Sequence, residues 1–268
     1  MKTKLSTGLM ALFILGFTFM MACNGDGEND PGFDLPEPPP IPERFLIRED
    51  NRRSSRAFTN YTYNGAYITN RLNGVFWEHE FEYNNGRMVR ESAIPDPGTN
   101  EEPDYILSFT HQSHAVIWTD EDYTYYTTKT WTSPTTYEEV LGNIENGEEV
   151  PVYIIRYVVE DFKPISSVRF TVRDGVEKES VRTTYTYDQK VINPLFGRYG
   201  KDSFQPLYLP TKKESFIASV VPGNDWFLAS YEYWDYELDE DHFPIIAELE
   251  YGVYDTGDES TTIEYYYR

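Results

Sequence analysis

Cysteine and basic residues are scarce in this sequence of 268 residues, and each scarcity excludes a class of protein. One cysteine cannot form an internal disulfide bond or a cysteine-rich zinc site. Lysine and arginine number 23 against 45 aspartates and glutamates, a formal net charge of −22. So acidic a chain repels phosphate backbones. We therefore predict no nucleic-acid partner, and nothing in the composition calls for a cofactor.

Residues that favour helices are also few. After residue 22 the chain has only 7 alanines and 11 leucines, beside 23 tyrosines and 21 threonines. This composition favours strands over helices. Aromatic residues make up 16% of the sequence, which is too many for a disordered chain. We expect most of the chain to bury a core.

The apolar run at the N-terminus is short. Lys2 and Lys4 precede apolar residues 9–21, which fall short of the roughly 20 residues that span a bilayer. We interpret residues 1–22 as a cleaved signal peptide. Cys23 follows a small residue at its end and resembles the lipidated cysteine of bacterial lipoproteins, which implies an acyl anchor such as palmitate at Cys23. The alternative is an ordinary secreted protein with an incidental cysteine.

Residues 23–42 combine this cysteine with an acidic, proline-rich stretch. Positions 24–42 hold six prolines, five acidic residues and no basic residue, which predicts an extended tether. Asp26, Glu28 and Asp30 resemble the export signal that sends Bacteroidota lipoproteins to the outer face of the outer membrane. The resemblance implies a lipid-anchored, surface-exposed protein of the outer membrane. A solvated spacer and a periplasm-facing protein are the alternatives.

Residues 43–268 are long enough for a single domain and carry 21 basic against 40 acidic residues. Their hydrophobic pattern has a period of two. Trp77, His79 and Phe81 alternate with three glutamates, at positions 78, 80 and 82. Dipeptides typical of tight hairpin turns separate such segments: Asn64-Gly65, Asn73-Gly74, Asn85-Gly86, Asn146-Gly147 and Asp174-Gly175. We predict an all-β antiparallel up-and-down meander of roughly a dozen strands, curled or closed into a barrel-like sheet.

A barrel that faces lipid is the alternative to a soluble one, because its strands alternate in the same way. The polar face here carries full charges in the middle of a strand, at Glu78, Glu80 and Glu82. Charges at such positions are unfavourable against lipid. We therefore predict a soluble rather than a membrane-spanning domain.

Recurring motifs carry a family resemblance. Three predicted strands end in an aromatic-x-aromatic-Asn/Asp unit, at 61–64, 81–84 and 185–188, which resembles tyrosine-aspartate repeats. The ordered series YTYD (185–188), NPLFG (193–197), LYLP (207–210) and YELDEDHFP (236–244) resembles a domain-of-unknown-function family of Bacteroidota lipoproteins. His242 stands where that family more often has glycine. The resemblance implies a porin-like antiparallel β fold and a location, and it brings no catalytic residues.

The segment WFLASYEYWDYEL, residues 226–238, is the densest aromatic strand. A regular strand places Trp226, Trp234 and Tyr236 on one face. Aromatic faces stack on sugar rings, and the nearby Glu232 and Asp235 are suited to accept hydrogen bonds from sugar hydroxyls. We predict a ligand-binding surface at these five residues. The alternatives are a strand buried on both sides and cross-strand aromatic ladders.

The remaining chemical candidates point to structural roles. His111 and His114 fall on opposite faces of a strand, so we predict no metal site there. The acidic stretch 239–241 lacks the alternating ligands of a calcium loop and is typical of a hairpin tip. We expect the basic stretch from Arg44 to Arg56 to pair with acids of its own domain, with docking to an acidic partner as the alternative.

No nucleophile elbow or other catalytic motif is present, so we predict that the protein is not an enzyme. We predict a non-catalytic binding module for a glycan or a protein at the cell surface, held to the membrane by its N-terminal lipid. Two alternatives stay open: a structural subunit of an outer-membrane assembly, and a glycan hydrolase with paired carboxylates.

Overall fold

The structure is a computed structural model that describes residues 39–52, 57–74, 77–95, 103, 105–112, 115–120, 123–199, 206–218, 226–253 and 257–268. Cys23, the signal peptide and most of the tether lie outside these ranges. The strands within them are β1 (Leu46–Asn51), β2 (Phe58–Asn64), β3 (Tyr67–Asn73), β4 (Trp77–Asn84), β5 (Arg87–Pro95), β6 (Tyr105–His111), β7 (Ala115–Thr119), β8 (Thr124–Ser133), β9 (Thr136–Glu145), β10 (Glu148–Glu160), β11 (Lys163–Arg173), β12 (Val176–Thr186), β13 (Lys212–Ala218), β14 (Trp226–Leu238), β15 (Pro244–Val253) and β16 (Gly257–Tyr267).

These sixteen strands form one closed antiparallel barrel. Each pairs with its neighbours in sequence, and β16 also pairs with β1. The all-β meander is confirmed, and the sheet is closed rather than curled. The expectation of roughly a dozen strands was too low, because short strands such as β7, with five residues, carry little alternation and no dipeptide turn. Among the described residues, no helix is long and apolar enough to cross a membrane.

Three of the expected hairpin turns have the backbone that their dipeptides favour. Both residues of Asn85-Gly86, Asn146-Gly147 and Asp174-Gly175 have positive φ, between 51° and 85°. His242, in the turn between β14 and β15, also has positive φ, at 67°. Glycine adopts this conformation more readily than a residue with a Cβ atom.

The barrel has two different ends. We call one the closed end; it contains the start of β1, the end of β16 and the long connection between β12 and β13. We call the other the open end; it contains the turns Asn146-Gly147 and Asp174-Gly175. The chain therefore enters and leaves the barrel at the closed end.

The inward face of β4 follows the predicted alternation. Phe81 belongs to the buried core and His79 is also buried, so their face points into the barrel. The outward face carries three acidic side chains, those of Glu78, Glu80 and Glu82. On β11 the usual pattern is reversed: buried Ser167 and Arg169 point inward, and Val168 and Phe170 point outward. Polar and charged residues therefore line both sides of the wall.

The connection between β12 and β13 fills the closed end. We call its described residues, 187–199 and 206–211, the plug. Val191 and Tyr199 join the core that inward residues such as Leu46 and Ile68 form. The Tyr199 ring lies 5.4 Å from that of Phe81. The plug therefore completes a hydrophobic core that sixteen strands alone would leave hollow.

One buried arginine fixes the plug to the start of the barrel. Arg198 is 1% exposed, and its guanidinium donates hydrogen bonds to the carbonyl oxygens of Ala66 (3.1 Å), Arg44 (3.0 Å) and Pro42. It also lies 4.2 Å from the centre of the Phe45 ring. Arg198 therefore holds the plug, the chain before β1 and the β2–β3 turn together.

Candidate functional site

Strand β14 carries all five predicted ligand residues, but the structure divides them between two faces. Ser215 of β13 pairs with Ser230, and the next residue, Phe216, pairs with Leu228. Ala229 is thus a β-bulge, which reverses the alternation on its N-terminal side. Tyr236 belongs to the core, so its face points inward. Trp226 consequently points outward, where the guanidinium of Arg182 lies 4.2 Å from its ring centre.

The predicted common face of Trp226, Trp234 and Tyr236 is therefore wrong, and the bulge is the physical reason. Trp234 and Tyr236 point into the barrel, and Glu232 joins them there. Asp235 points outward. The structure brings together three of the five residues and separates the other two from them.

Tyr236 is a core residue rather than a free platform. It is 7% exposed, and its hydroxyl donates a hydrogen bond of 3.3 Å to the carbonyl oxygen of Pro210 in the plug. Its ring is nearly parallel to that of Trp234, with centroids 5.8 Å apart. Burial raises the pKa of the Tyr236 hydroxyl above its ordinary range. Trp234 is only partly buried and marks the boundary between the core and the lumen.

On strands β4 and β15, the exposure of inward residues rises toward the open end. On β4, Phe81 is 5% exposed and Trp77, four residues nearer the open end, is 37% exposed. On β15, exposure rises from 0% at Ala247 to 55% at Val253. The lumen is therefore packed at the closed end and reaches solvent at the open end.

Polar groups line the solvent-reached part of the lumen on β12 to β16. The Lys213 ammonium lies 2.8 Å from a carboxylate oxygen of Glu232. The hydroxyls of Thr183 and Ser215 share a hydrogen bond of 3.1 Å. The Tyr251 hydroxyl donates to Glu259 at 2.6 Å. This wall offers charged groups and hydroxyls to a ligand, with the Trp234 indole below them.

A buried ionisable cluster, which the sequence did not suggest as a site, lies deeper in the barrel. Burial raises the pKa of Glu49, whose carboxylate accepts a hydrogen bond of 2.9 Å from the Tyr61 hydroxyl. The His79 Nδ1 lies 3.1 Å from a carboxylate oxygen of Glu91. Arg71 interacts electrostatically with both carboxylates and offsets part of their charge. The alternation of β4 could have placed His79 inside, but its partners are on other strands.

A second buried pair lies between β8 and β9. The Lys129 ammonium is 3.9 Å from a carboxylate oxygen of Glu139; Glu139 is buried and Lys129 is partly buried. Burial raises the pKa of Glu139 to about 7, and the Lys129 charge opposes that rise. This carboxyl group therefore titrates near neutral pH inside the barrel.

The outer wall carries a shallow groove of about 650 Å³ across β14, β15, β16 and the end of β1. Asp235 and Glu248 face each other across the strand pair in this groove. The outward residues that line it are Arg52, Tyr233, Asp235, Glu248, Glu250, Ser260 and Thr262. Trp234, Leu249 and Thr261, whose side chains point inward, also border it. Two neighbouring carboxylates are thus present, and they lie on an open outer surface.

The other sequence candidates have structural partners where they are described. His111 Nε2 lies 2.6 Å from the carbonyl oxygen of Met88, and His114 is outside the described residues. Asp239 accepts hydrogen bonds from the main-chain nitrogens of Asp241 and Phe243, as a hairpin tip does. No group of three or more potential metal ligands occurs among the residues that the structure describes.

The expected pairing of the basic stretch is present in three places. Arg44 pairs with Asp239, Arg48 with Asp50 and Arg52 with Glu264. Arg53 and Arg56 lie outside the described residues. The first pair connects the chain before β1 to the β14–β15 turn, the second lies within β1, and the third connects the residue after β1 to β16.

No family model matches the sequence, and no curated protein matches it either. Among solved structures, the chain is similar to a porin-like protein from Bacteroides vulgatus ATCC 8482, with 10% identity, a TM-score of 0.49 and coverage of 84% of this chain and 99% of that one. It is also similar to a porin-like protein from Bacteroides uniformis ATCC 8492, with 12% identity, a TM-score of 0.33 and coverage of 83% and 98%.

Proposed function

We propose that the protein is a non-catalytic binding module, held to the outer membrane by a lipid at Cys23, that takes a glycan at the open end of its barrel. The carrying observation is the asymmetry of the lumen, which is packed at one end and polar and open at the other. The proposal has three parts: the anchor, the position outside the bilayer and the ligand.

The anchor is supported by where the chain enters the barrel. Residues 39–45 reach β1 at the closed end, where Arg198 binds the carbonyl oxygens of Pro42 and Arg44. Sixteen residues, 23–38, precede them. At about 3.3 Å per residue, these reach at most roughly 53 Å from the lipid. In this arrangement the closed end faces the membrane and the open end faces away.

A position outside the bilayer is supported by the outer wall. Glu78, Glu80 and Glu82 face outward in the middle of β4, and charged residues also cover β14 to β16. In a lipid-facing barrel, a basic residue at the midplane costs about 2–4 kcal/mol and an acidic one less. Arg156 interrupts the outward apolar residues of β10 and β11 and lies 4.6 Å from the Phe170 ring centre.

A glycan ligand is supported by the chemistry of the lumen. Sugars present hydroxyls to charged and polar groups and C–H faces to aromatic rings. Glu232, Lys213 and Trp234 offer these contacts on the inward faces of β13 and β14. Glu232 is 37% exposed there, so its carboxylate is accessible from the open end.

The alternation of β14 supplies the test, because adjacent residues point to opposite sides of the wall. A glycan array with the full-length protein in detergent identifies a ligand, and calorimetry measures its affinity for each variant. We expect Glu232→Gln and Trp234→Ala to weaken binding at least about tenfold, since each removes a lumen contact. Tyr233→Ala and Asp235→Asn are the matched outward controls and should leave binding unchanged.

Two outcomes contradict the ligand proposal: no glycan bound at millimolar concentration, or lost binding in the outward variants alone. The second would move the site to the outer groove. The anchor is tested separately by Cys23→Ala, which should shift the protein from the membrane fraction to the soluble one. An unchanged membrane fraction would overturn the lipid anchor.

A further inference from the structure

Three basic side chains stand together on the lumen face of β11 and β12, near the open end. Arg169 and Arg173 share the inward face of β11 with buried Ser167. A bulge at Ser180 brings Lys178 to the same face, where it pairs with Thr171, the residue midway between the two arginines. We call Arg169, Arg173 and Lys178 the basic wall.

The basic wall lacks the acidic partners that neighbouring cations have. Among the described residues, no carboxylate forms a salt bridge with Arg169, Arg173 or Lys178. On the outward faces of β10 and β12, Arg156 pairs with Glu138 and Glu177, and Arg182 pairs with Glu179. In a chain with almost twice as many acidic as basic residues, three cations without a counter-charge form a distinct feature of the lumen.

The surroundings suit an acidic sugar. The Arg169 guanidinium lies 5.3 Å from the ring centre of Tyr153, and its Nε donates to the Ser180 hydroxyl at 3.4 Å. A guanidinium binds a carboxylate or sulfate through two parallel hydrogen bonds, and an aromatic ring beside it can stack on a sugar. Arg173 and Lys178 are both exposed at the open end and reach an arriving ligand first.

The negative charge of the rest of the molecule should make the basic wall the preferred site for an anionic ligand. The acidic outer wall repels anions, and the lumen carboxylates of Glu232 and Glu259 lie on other strands, β14 and β16. An anionic ligand therefore gains most of its favourable contacts at the basic wall. We infer that the basic wall binds the acidic groups of an anionic oligosaccharide that enters the open end. This inference rests on the proposed function, because it names the class of glycan.

The experiment compares each charged sugar with a neutral form of the same chain. Oligogalacturonate is compared with its methyl ester, and sulfated dextran oligomers are compared with unsulfated ones, in calorimetry with the full-length protein. We expect a charged sugar to bind at least about tenfold more tightly than its neutral form. The two pairs distinguish a carboxylate ligand from a sulfate ligand.

Variants assign the effect to the wall. Arg173→Gln with Lys178→Gln should weaken binding of the charged sugar at least about tenfold and make it less sensitive to salt. Both residues are exposed near a hairpin turn, so this double variant should fold. Arg169→Gln should add to the loss if it also retains the wild-type melting temperature. The matched control is Arg182→Gln, on the outward face of β12, which should leave affinity unchanged.

Each contrary result has a defined meaning. Equal binding of charged and neutral sugars would overturn the basic wall as the determinant and leave the proposed function standing. An equal loss in Arg182→Gln would also overturn it, since the effect would then be general. A single-stranded oligonucleotide that binds as tightly, through the same residues, would overturn the saccharide class. Binding of no sugar at all would overturn the proposed function itself.

Discussion

The two ends of the barrel use the same alternating strands for opposite purposes. At the closed end, inward residues such as Ile68 and Ala247 are fully buried against the plug. At the open end, inward positions hold Val253, which is 55% exposed, and the basic wall. A residue that points inward in this barrel is therefore not necessarily buried. An inward position contributes to stability where the plug fills the lumen, and it contacts solvent and ligands where the lumen is open.

The difference in packing between the two ends is tested most directly on β4, whose inward face extends from the open end to the closed end. Phe81→Ala should lower the free energy of unfolding by about 4 kcal/mol, because it empties a packed site beside Tyr199. Trp77→Ala removes a larger side chain from the same face but should cost only about 1 kcal/mol, since that site already meets solvent. Urea unfolding measures both. Equal losses would mean that the two ends are packed alike.

The contribution of the plug should be nearly as large. Arg198→Met keeps an unbranched apolar chain in place of the arginine stem but leaves three main-chain carbonyls without their donor. Unsatisfied buried acceptors cost about 1–3 kcal/mol each before relaxation, so we expect a loss of about 3–4 kcal/mol in the free energy of unfolding.

Arg182→Met is the control for Arg198, because Arg182 is an exposed arginine on the outer wall. It should change stability by less than about 0.5 kcal/mol. A loss below about 1 kcal/mol in Arg198→Met would show that the plug is held by its apolar contacts alone.

Much of the barrel wall could be predicted from the sequence, and little of the packing at the closed end. Alternation alone gave the all-β fold and the inward face of β4, and the dipeptides at 85, 146 and 174 gave three turns. Each of these depends on neighbours in sequence. Arg198 contacts residues more than 130 positions away, and no local pattern indicates such a contact.

The candidate site was less predictable for two physical reasons. A β-bulge depends on the register with the partner strand, so the sequence of β14 did not reveal that Ala229 turns Trp226 outward. The pattern of β11 was visible, but apolar residues are expected inside, and here Val168 and Phe170 face outward. Arg169 therefore points into the lumen, opposite to the usual rule.

The pH dependence of stability also distinguishes the buried part of the lumen from the open part. The folded protein raises the pKa of Glu139 from 4.5 to about 7. The folded state therefore holds this proton more tightly, and the resulting stability is complete below pH 4.5 and lost as pH rises through about 7. The difference amounts to about 3 kcal/mol.

Glutamine cannot lose that proton, so Glu139→Gln should remove this part of the pH dependence. The measurement is the free energy of unfolding of both proteins at pH 4.5, 6 and 8. We expect the wild type to lose more stability than the variant between the first and the last. The exposed Glu80→Gln is the control and should follow the wild type. If Glu139→Gln also follows the wild type, the Glu139 carboxyl lies in a more polar environment.

The smallest expected effect concerns the turn that joins the closed end to the plug. His242 has φ of 67°, a region that costs a residue with a Cβ atom about 1–2 kcal/mol. Its carbonyl accepts a hydrogen bond from the plug residue Ile192, so the turn must keep this backbone. His242→Gly removes the strain but adds freedom to the unfolded chain, which offsets part of the gain. We expect the free energy of unfolding, measured in urea, to rise by about 0.5 kcal/mol.

Asn85→Gly is the control. Asn85 has φ of 52°, and its replacement should bring no gain in stability, because asparagine tolerates this conformation. A loss of stability in His242→Gly would mean that the imidazole itself contributes to holding the plug.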